Sequence, residues 1–411
     1  MKGTDLSRRE FLQVGGGVAA WGVMGLPWGM RLSPAPMGEP PDHDVLICIF
    51  LRGGLDGLNT VIPLFDADYA RRRPTLAVPE KDALDLDGRF GLHPALRPLL
   101  DAWDAGHLAV IHAVGSPDPT HSHFDAQDFM ERGTPGDKSV TSGWIARHLS
   151  TAPWRNDSAF RAVGLGGVRP ASLRGPVPAT TLRSLADFHL QGRVADKEQL
   201  QNTLTALYAG DELLAEAAQA TIAAIETLAE ADIPDDAAAY PESDFGQALF
   251  QAARLIKADI GLEVATVDLG GFDTHTNQGV GEGSLARLLG ELAEGLVALY
   301  RDLGESMKRV TVVTMSEFGR RAYENGNGGT DHGHGGVMFV LGGGVRGGQV
   351  HADWPGLGDG DLYGPGDLAV TTDFRDVLGE LVQRRLGNAA NLETVFPGYR
   401  IKPLDLFTPW A

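Results

Sequence analysis

The chain has 411 residues, a formal net charge of −19 at pH 7 and a single cysteine, Cys48. One cysteine excludes a disulfide framework. An acidic chain without a basic stripe argues against nucleic-acid binding and suits cations better than anions.

The first 36 residues read as an export leader. Ser7-Arg8-Arg9-Glu10-Phe11-Leu12 precedes the uncharged run Val14 to Trp28, and Ser33-Pro34-Ala35-Pro36 offers a processing region. This is the pattern of a twin-arginine signal. The expected partner is the twin-arginine translocation machinery, and the expected location is periplasmic or extracellular. No later segment reaches about 18 uncharged apolar residues, so no stable membrane span is expected after processing. Four basic and two acidic residues in the leader leave residues 37–411 near −21. That length can bury the core of one large α/β domain or two smaller ones.

After a Pro-rich spacer, Asp44 to Leu51 is a continuous apolar run. Such a strand is buried on both faces, as in a parallel sheet covered by helices. It ends in Arg52-Gly53-Gly54-Leu55-Asp56-Gly57-Leu58-Asn59-Thr60. Functional groups gather at the carboxyl ends of strands in open α/β sheets, which makes Asp56 a candidate ligand; the alternative is a turn-forming Asp-Gly. His107 to Val114 is the next core strand. Thr120-His121-Ser122-His123-Phe124-Asp125 follows, with Thr120 or Ser122 able to cap a helix. A serine beside histidines at a helix N-terminus also makes a credible nucleophile for an anionic ester.

Residues 155–245 differ. Gly166-Gly167, Pro170, Pro176 and Pro178 mark irregular chain, and Asp196 to Ala231 reads as helix, so an irregular and helical insertion is expected. Asp244 to Ala258 is an amphipathic helix. Leu262 to Leu269 is a strand leading into Gly270-Gly271-Phe272-Asp273-Thr274-His275. Asp273 and His275, two apart in extended chain, project to one side and suit a shared cation. Leu285, Leu288, Leu289, Leu292, Leu296, Leu299 and Leu303 stripe a long helix from Glu282 to Met307 as core.

Arg309 to Met315 is a strand ending at Glu317, a third acid at a strand terminus. Then Thr330-Asp331-His332-Gly333-His334-Gly335-Gly336 puts a carboxylate and two imidazoles before the buried run Val337 to Leu341. Nitrogen and carboxylate ligands in a glycine-rich turn suit a transition metal. A last helix spans about Asp373 to Leu386. The alternation predicts one doubly wound α/β domain with a mostly parallel sheet flanked by helices.

Five motifs in order now carry a resemblance: Leu51 to Asn59, Ser122 to Gln127, Gly271 to His275, Ser316 to Arg320 and Asp331 to Gly335. With the leader, they are similar to the DUF1501 family, grouped by fold with alkaline phosphatases and sulfatases. The resemblance implies an alkaline phosphatase-like domain over 37–411 and an exported hydrolase of phosphate or sulfate esters. It implies divalent metal ions, Zn or Mn first and Ca or Mg as alternatives, and a small anionic ester as substrate. Ser122 matches the nucleophile, and Asp56, Asp273, His275 and Glu317 match ligands. His332 or His334 matches the late histidine. Asn59, His123 and Arg320 fall to substrate binding. Phe318 stands where a ligand histidine is usual, so a second metal would draw on Asp331 and the remaining imidazole. The Phe at +2 from Cys48 disfavours a formylglycine sulfatase. The alternatives are a non-catalytic, metal-stapled surface protein and a metal-dependent phosphomutase or transferase.

Overall fold

Seven consecutive apolar residues leave no face for water, and β1 (Val45–Leu51) is buried along its whole length. The computed structural model describes residues 44–153, 156, 158–185 and 240–408. The leader and the helix expected over Asp196 to Ala231 lie outside the described residues.

β2 (Val61–Pro63), β3 (Leu84–Asp85) and β4 (Phe90–Leu92) form a small antiparallel sheet. The main sheet contains β1, β5 (Leu108–Gly115), β6 (Ala162–Leu165), β7 (Thr180–Leu182), β8 (Val264–Leu269), β9 (Val310–Met315), β10 (Gly336–Gly342), β11 (Gln349–His351) and β12 (Thr372–Asp373). Its order is β11-β5-β10-β9-β1-β8-β6-β7, with β12 also on β5. The sheet is mostly parallel, as expected; β10 alone of these strands runs against its neighbours, β5 and β9. Residues 162–165 and 180–182, expected to be irregular, instead extend the sheet as β6 and β7.

The two faces of β1 divide the core. Val45, Ile47, Ile49 and Leu51 pack with α3 (Asp244–Lys257) and α4 (Ser284–Leu303). Leu46, Cys48 and Phe50 pack with α1 (His123–Arg132), α2 (Trp144–Thr151) and α5 (Phe374–Arg384). Helices on both faces make the sheet doubly wound. The leucine stripe of α4 is fully buried, each side chain contributing about 1.5–3 kcal/mol. The helix is shorter than expected. It begins after Gly283, at φ +124°, and gives way at Gly304 to a 3₁₀ turn.

The reversed strand decides where chemistry collects. β1, β5, β8 and β9 send their following loops to one rim. Because β10 is antiparallel, its amino end meets that rim, so the loop before it joins the loops after the others. Among the described residues no helix is long and apolar enough to cross a membrane.

Candidate metal centre

Three imidazoles converge on one carboxylate oxygen at this rim. His275, His332 and His123 place Nε2 at 3.1, 3.2 and 3.5 Å from Asp273 Oδ1. His275 Nε2 and His332 Nε2 face each other at 2.9 Å. His123, Asp273 and His332 each offer a ligand atom, all within 4.8 Å of one another.

The other nitrogen of each ring is anchored by a group that only accepts. His123 Nδ1 donates to Glu317 Oε1 at 2.7 Å, His275 Nδ1 to Asp331 Oδ1 at 3.2 Å, and His332 Nδ1 to the His121 carbonyl at 2.9 Å. In a neutral ring such a partner places the proton on Nδ1 and leaves a lone pair on Nε2. Burial works against ionisation of Glu317, but donors from His123, Gln127 (2.8 Å) and Gly53 N–H (2.9 Å) hold its carboxyl below the ordinary value. The Asn325 amide, donating at 3.0 Å, holds Asp331 low as well. The hydrogen bond to Glu317 raises the pKa of His123, whereas burial lowers that of His332.

Two lone pairs at 2.9 Å beside a carboxylate repel one another unless a positive charge sits among them. The buried His123 Nε2 has no hydrogen-bond partner. Four ligands at about 2.0–2.1 Å around one tetrahedral cation stand roughly 3.3 Å apart. In the group formed by His123, Asp273 and His332, Asp273 Oδ1 stands 3.2 Å from His332 Nε2 and 3.5 Å from His123 Nε2, near that value, and all three ligand atoms lie within 4.8 Å of one another. The residues therefore fit a transition-metal cation, and their outer hydrogen bonds are of the kind that orients metal-bound histidines.

Arg320 braces the centre. Its side chain is fully buried. It donates to Gly54 O (2.7 Å), Thr330 O (2.8 Å), Phe272 O (3.0 Å), Gly53 O and Asp273 Oδ1 (2.6 Å), tying the loops after β1 and β8 to the loop before β10. Burial opposes the charge on Asp273, but Arg320 and the imidazoles outweigh it and bring its pKa down to about 2. Gly53 makes the close approach possible: at φ +115°, a Cβ there would lie 2.5 Å from Asp273 N.

Several sequence-based assignments change. Asp56 is sealed away from the centre: Arg73 Nη1 and Gln278 Nε2 each donate to its Oδ2 at 2.6 Å, and it caps the turn Gly57–Thr60. Glu317 and Asp331 back histidines and contribute no atom to the convergent group. His334 stacks on Tyr363 at 4.6 Å instead, where burial lowers its pKa to about 4. Asn59 is fully buried and bonds Leu76 O, Tyr69 and Arg73, away from the convergent group. Arg320 donates to carbonyls and Asp273, and His123 belongs to the convergent ligand group. Ser122 is exposed and caps α1, its Oγ 3.5 Å from Asp125 N. Phe318 packs beside the two rings, 4.9 Å from His123 and 4.8 Å from His332.

Sequence reasoning passed over Gln127 and Asn325. Gln127 had a signal, four residues after His123 and hence on the same helical face. Its Oε1 accepts from Arg52 Nη1 at 3.1 Å while its Nε2 serves Glu317.

Comparison with solved structures gives distant likenesses. The C-terminal periplasmic domain of EcEptC from Escherichia coli is 10% identical, with 90% of this chain and 92% of that chain covered and a TM-score of 0.39. The PsFucS1 sulfatase from Pseudoalteromonas sp. is 11% identical over 75% of this chain and 64% of that chain, TM-score 0.35, so the chain spans less than two thirds of that protein. The lipoteichoic acid synthase LtaP from Listeria monocytogenes is 8% identical over 90% and 76%, TM-score 0.34. No curated protein matches the sequence. The family described as "Protein of unknown function (DUF1501)" matches residues 89–395, well over half of the 411. The chain belongs to the DUF1501 family.

Proposed function

We propose that the protein is an exported, metal-dependent hydrolase of phosphate or sulfate esters. The observation that supports this best is the meeting of three imidazole Nε2 atoms on Asp273 Oδ1. A nitrogen-rich set suits Zn better than Ca or Mg, and the carboxylate of Asp273 keeps Mn as the alternative. When bound by His123, Asp273 and His332, with His275 beside them, a divalent cation supplies Lewis-acid polarisation of an ester and offsets its negative charge.

The chain's own groups divide the remaining work. Glu317, Asp331 and the His121 carbonyl hold the rings in one tautomer. Ser122 stands exposed at the N-terminus of α1 beside His123, and its oxygen is the proposed nucleophile. It forms a bond to phosphorus or sulfur, the ester oxygen departs as an alcohol with the serine proton, and water then cleaves the serine ester and restores the hydroxyl. The leader's twin-arginine pattern supports export of the folded chain.

The test is elemental analysis of the purified protein together with assays on an aryl phosphate, a phosphodiester and an aryl sulfate. Turnover of one of them, lost in Ser122→Ala with metal retained, is the expected result. Metal-loaded protein inert on all three overturns the reading. One observation favours a second role, a cation that staples loops without turnover: the donors come from the start of α1 and from the loops at β8 and β10. Metal retention without turnover in both wild type and Ser122→Ala would support it.

A further inference from the structure

We propose that the centre takes one divalent cation and that the guanidinium of Arg320 fills the place of a second. The inference rests on the metal-dependent reading above and departs from the paired-cation plan that the family resemblance implied.

A pair of catalytic cations stands about 3.5–4 Å apart and needs two sets of ligands. Among the described residues, one convergent group of ligand-type side chains is found. The acids that a second set would draw on have partners already: Asp331 Oδ1 accepts from Asn325 at 3.0 Å and from His275 Nδ1 at 3.2 Å. Asp56 has both oxygens engaged, Oδ2 by Arg73 and Gln278 and Oδ1 by the Asn59 amide at 3.4 Å. Glu317 Oε1 accepts three donors, and its Oε2 lies 3.3 Å from Ser316 Oγ. The Phe318 ring packs against both His123 and His332, whose centroids stand 4.4 Å apart, and fills the space on that side.

Arg320 already stands where a neighbouring cation would. Its Nη2 is 2.6 Å from the same Asp273 oxygen on which the imidazoles converge. It cannot swing aside, because carbonyls from three loops hold it. Charge balance points the same way. Asp273, Glu317 and Asp331 carry three negative charges and Arg320 one positive, so a single divalent ion brings the centre to neutrality. A second would leave an excess of two positive charges on a partly buried rim, which desolvation disfavours. Arg320 is thus a positioning residue: it fixes Asp273 and supplies permanent charge, and the hydrogen bonds described above tie it to the protein.

The experiment is native mass spectrometry of the full chain after loading with Zn²⁺ or Mn²⁺ and dialysis, with elemental analysis alongside. One ion per chain is expected. Two per chain overturns the proposal and leaves the ester-hydrolase reading standing; none overturns both. Asp56→Asn adds a second measurement. It should melt at a lower temperature yet keep its single ion. Loss of the ion from a variant that still unfolds cooperatively would identify Asp56 as a ligand and refute the inference. If Asp56→Asn fails to fold, the wild-type count decides.

Discussion

Replacing Arg320 with methionine keeps much of the length of the side chain and removes its charge and its donors. The carbonyls of Gly53, Gly54, Phe272 and Thr330 lose a partner, and Asp273 loses its cation. An orphaned buried acceptor costs about 1–3 kcal/mol, but four on one guanidinium do not add, because the loops relax together. Breaking a buried charge pair costs about 3–5 kcal/mol. Asp273 is half exposed and regains water, so the low end applies, about 3 kcal/mol, or roughly a hundredfold in the folding equilibrium. Urea unfolding followed by far-ultraviolet circular dichroism, with a chelator present so that bound metal adds nothing, reads this directly. Arg320→Lys keeps the charge and fewer donors, and should fall between wild type and Arg320→Met. Arg320→Met within about 1 kcal/mol of wild type, at an unchanged m-value, would show that the guanidinium does not brace the rim.

Glu317→Gln offers His123 an amide in place of a carboxylate and should weaken metal binding by about 10–100-fold. Competition with a chromophoric chelator measures this, and unaltered affinity would remove Glu317 from the support of His123. His112 gives a pH dependence. Burial lowers its pKa to about 4; its Nε2 reaches Val61 O at 2.9 Å, and its Nδ1 accepts the Ala113 amide at 2.7 Å, which leaves no room for a second proton. The unfolded chain, with an ordinary histidine, takes up the proton first. The stability this ring contributes is therefore complete above about pH 6.5 and is lost as pH falls toward 4, at about 1.4 kcal/mol per unit. In His112→Gln the melting temperature should fall less steeply across that window, and an identical slope would refute the assignment.

Strands were legible where apolar runs were long. The runs that became β1, β5, β8, β9 and β10 lie within two residues of their expected bounds. β6 and β7 were not, because four and three residues in glycine- and proline-rich chain carry no usable period. The centre was partly legible for a physical reason: Asp273, His275 and His332 sit beside strands, and strand ends fix position. Asp56 sits in an equally suitable loop, yet Arg73, seventeen residues on, claims its carboxylate. Nothing in the spacing announces that pairing, because it depends on how a separate helical turn folds back. His332 and His334 were equal candidates from sequence; in the fold His332 Nε2 reaches Asp273 at 3.2 Å, whereas His334 stacks on Tyr363.

The brace made by Arg320 also bears on how the protein would acquire its ion. Carbonyls from loops far apart in sequence are already joined by one side chain, so the backbone that carries the donors is held without help from an ion. Uptake then spends little chain entropy, unlike the coupled folding of a small zinc module. A pocket finished in advance behaves as a preset chelator. On the proposed reading, a bound ion would exchange while the surrounding architecture stays intact.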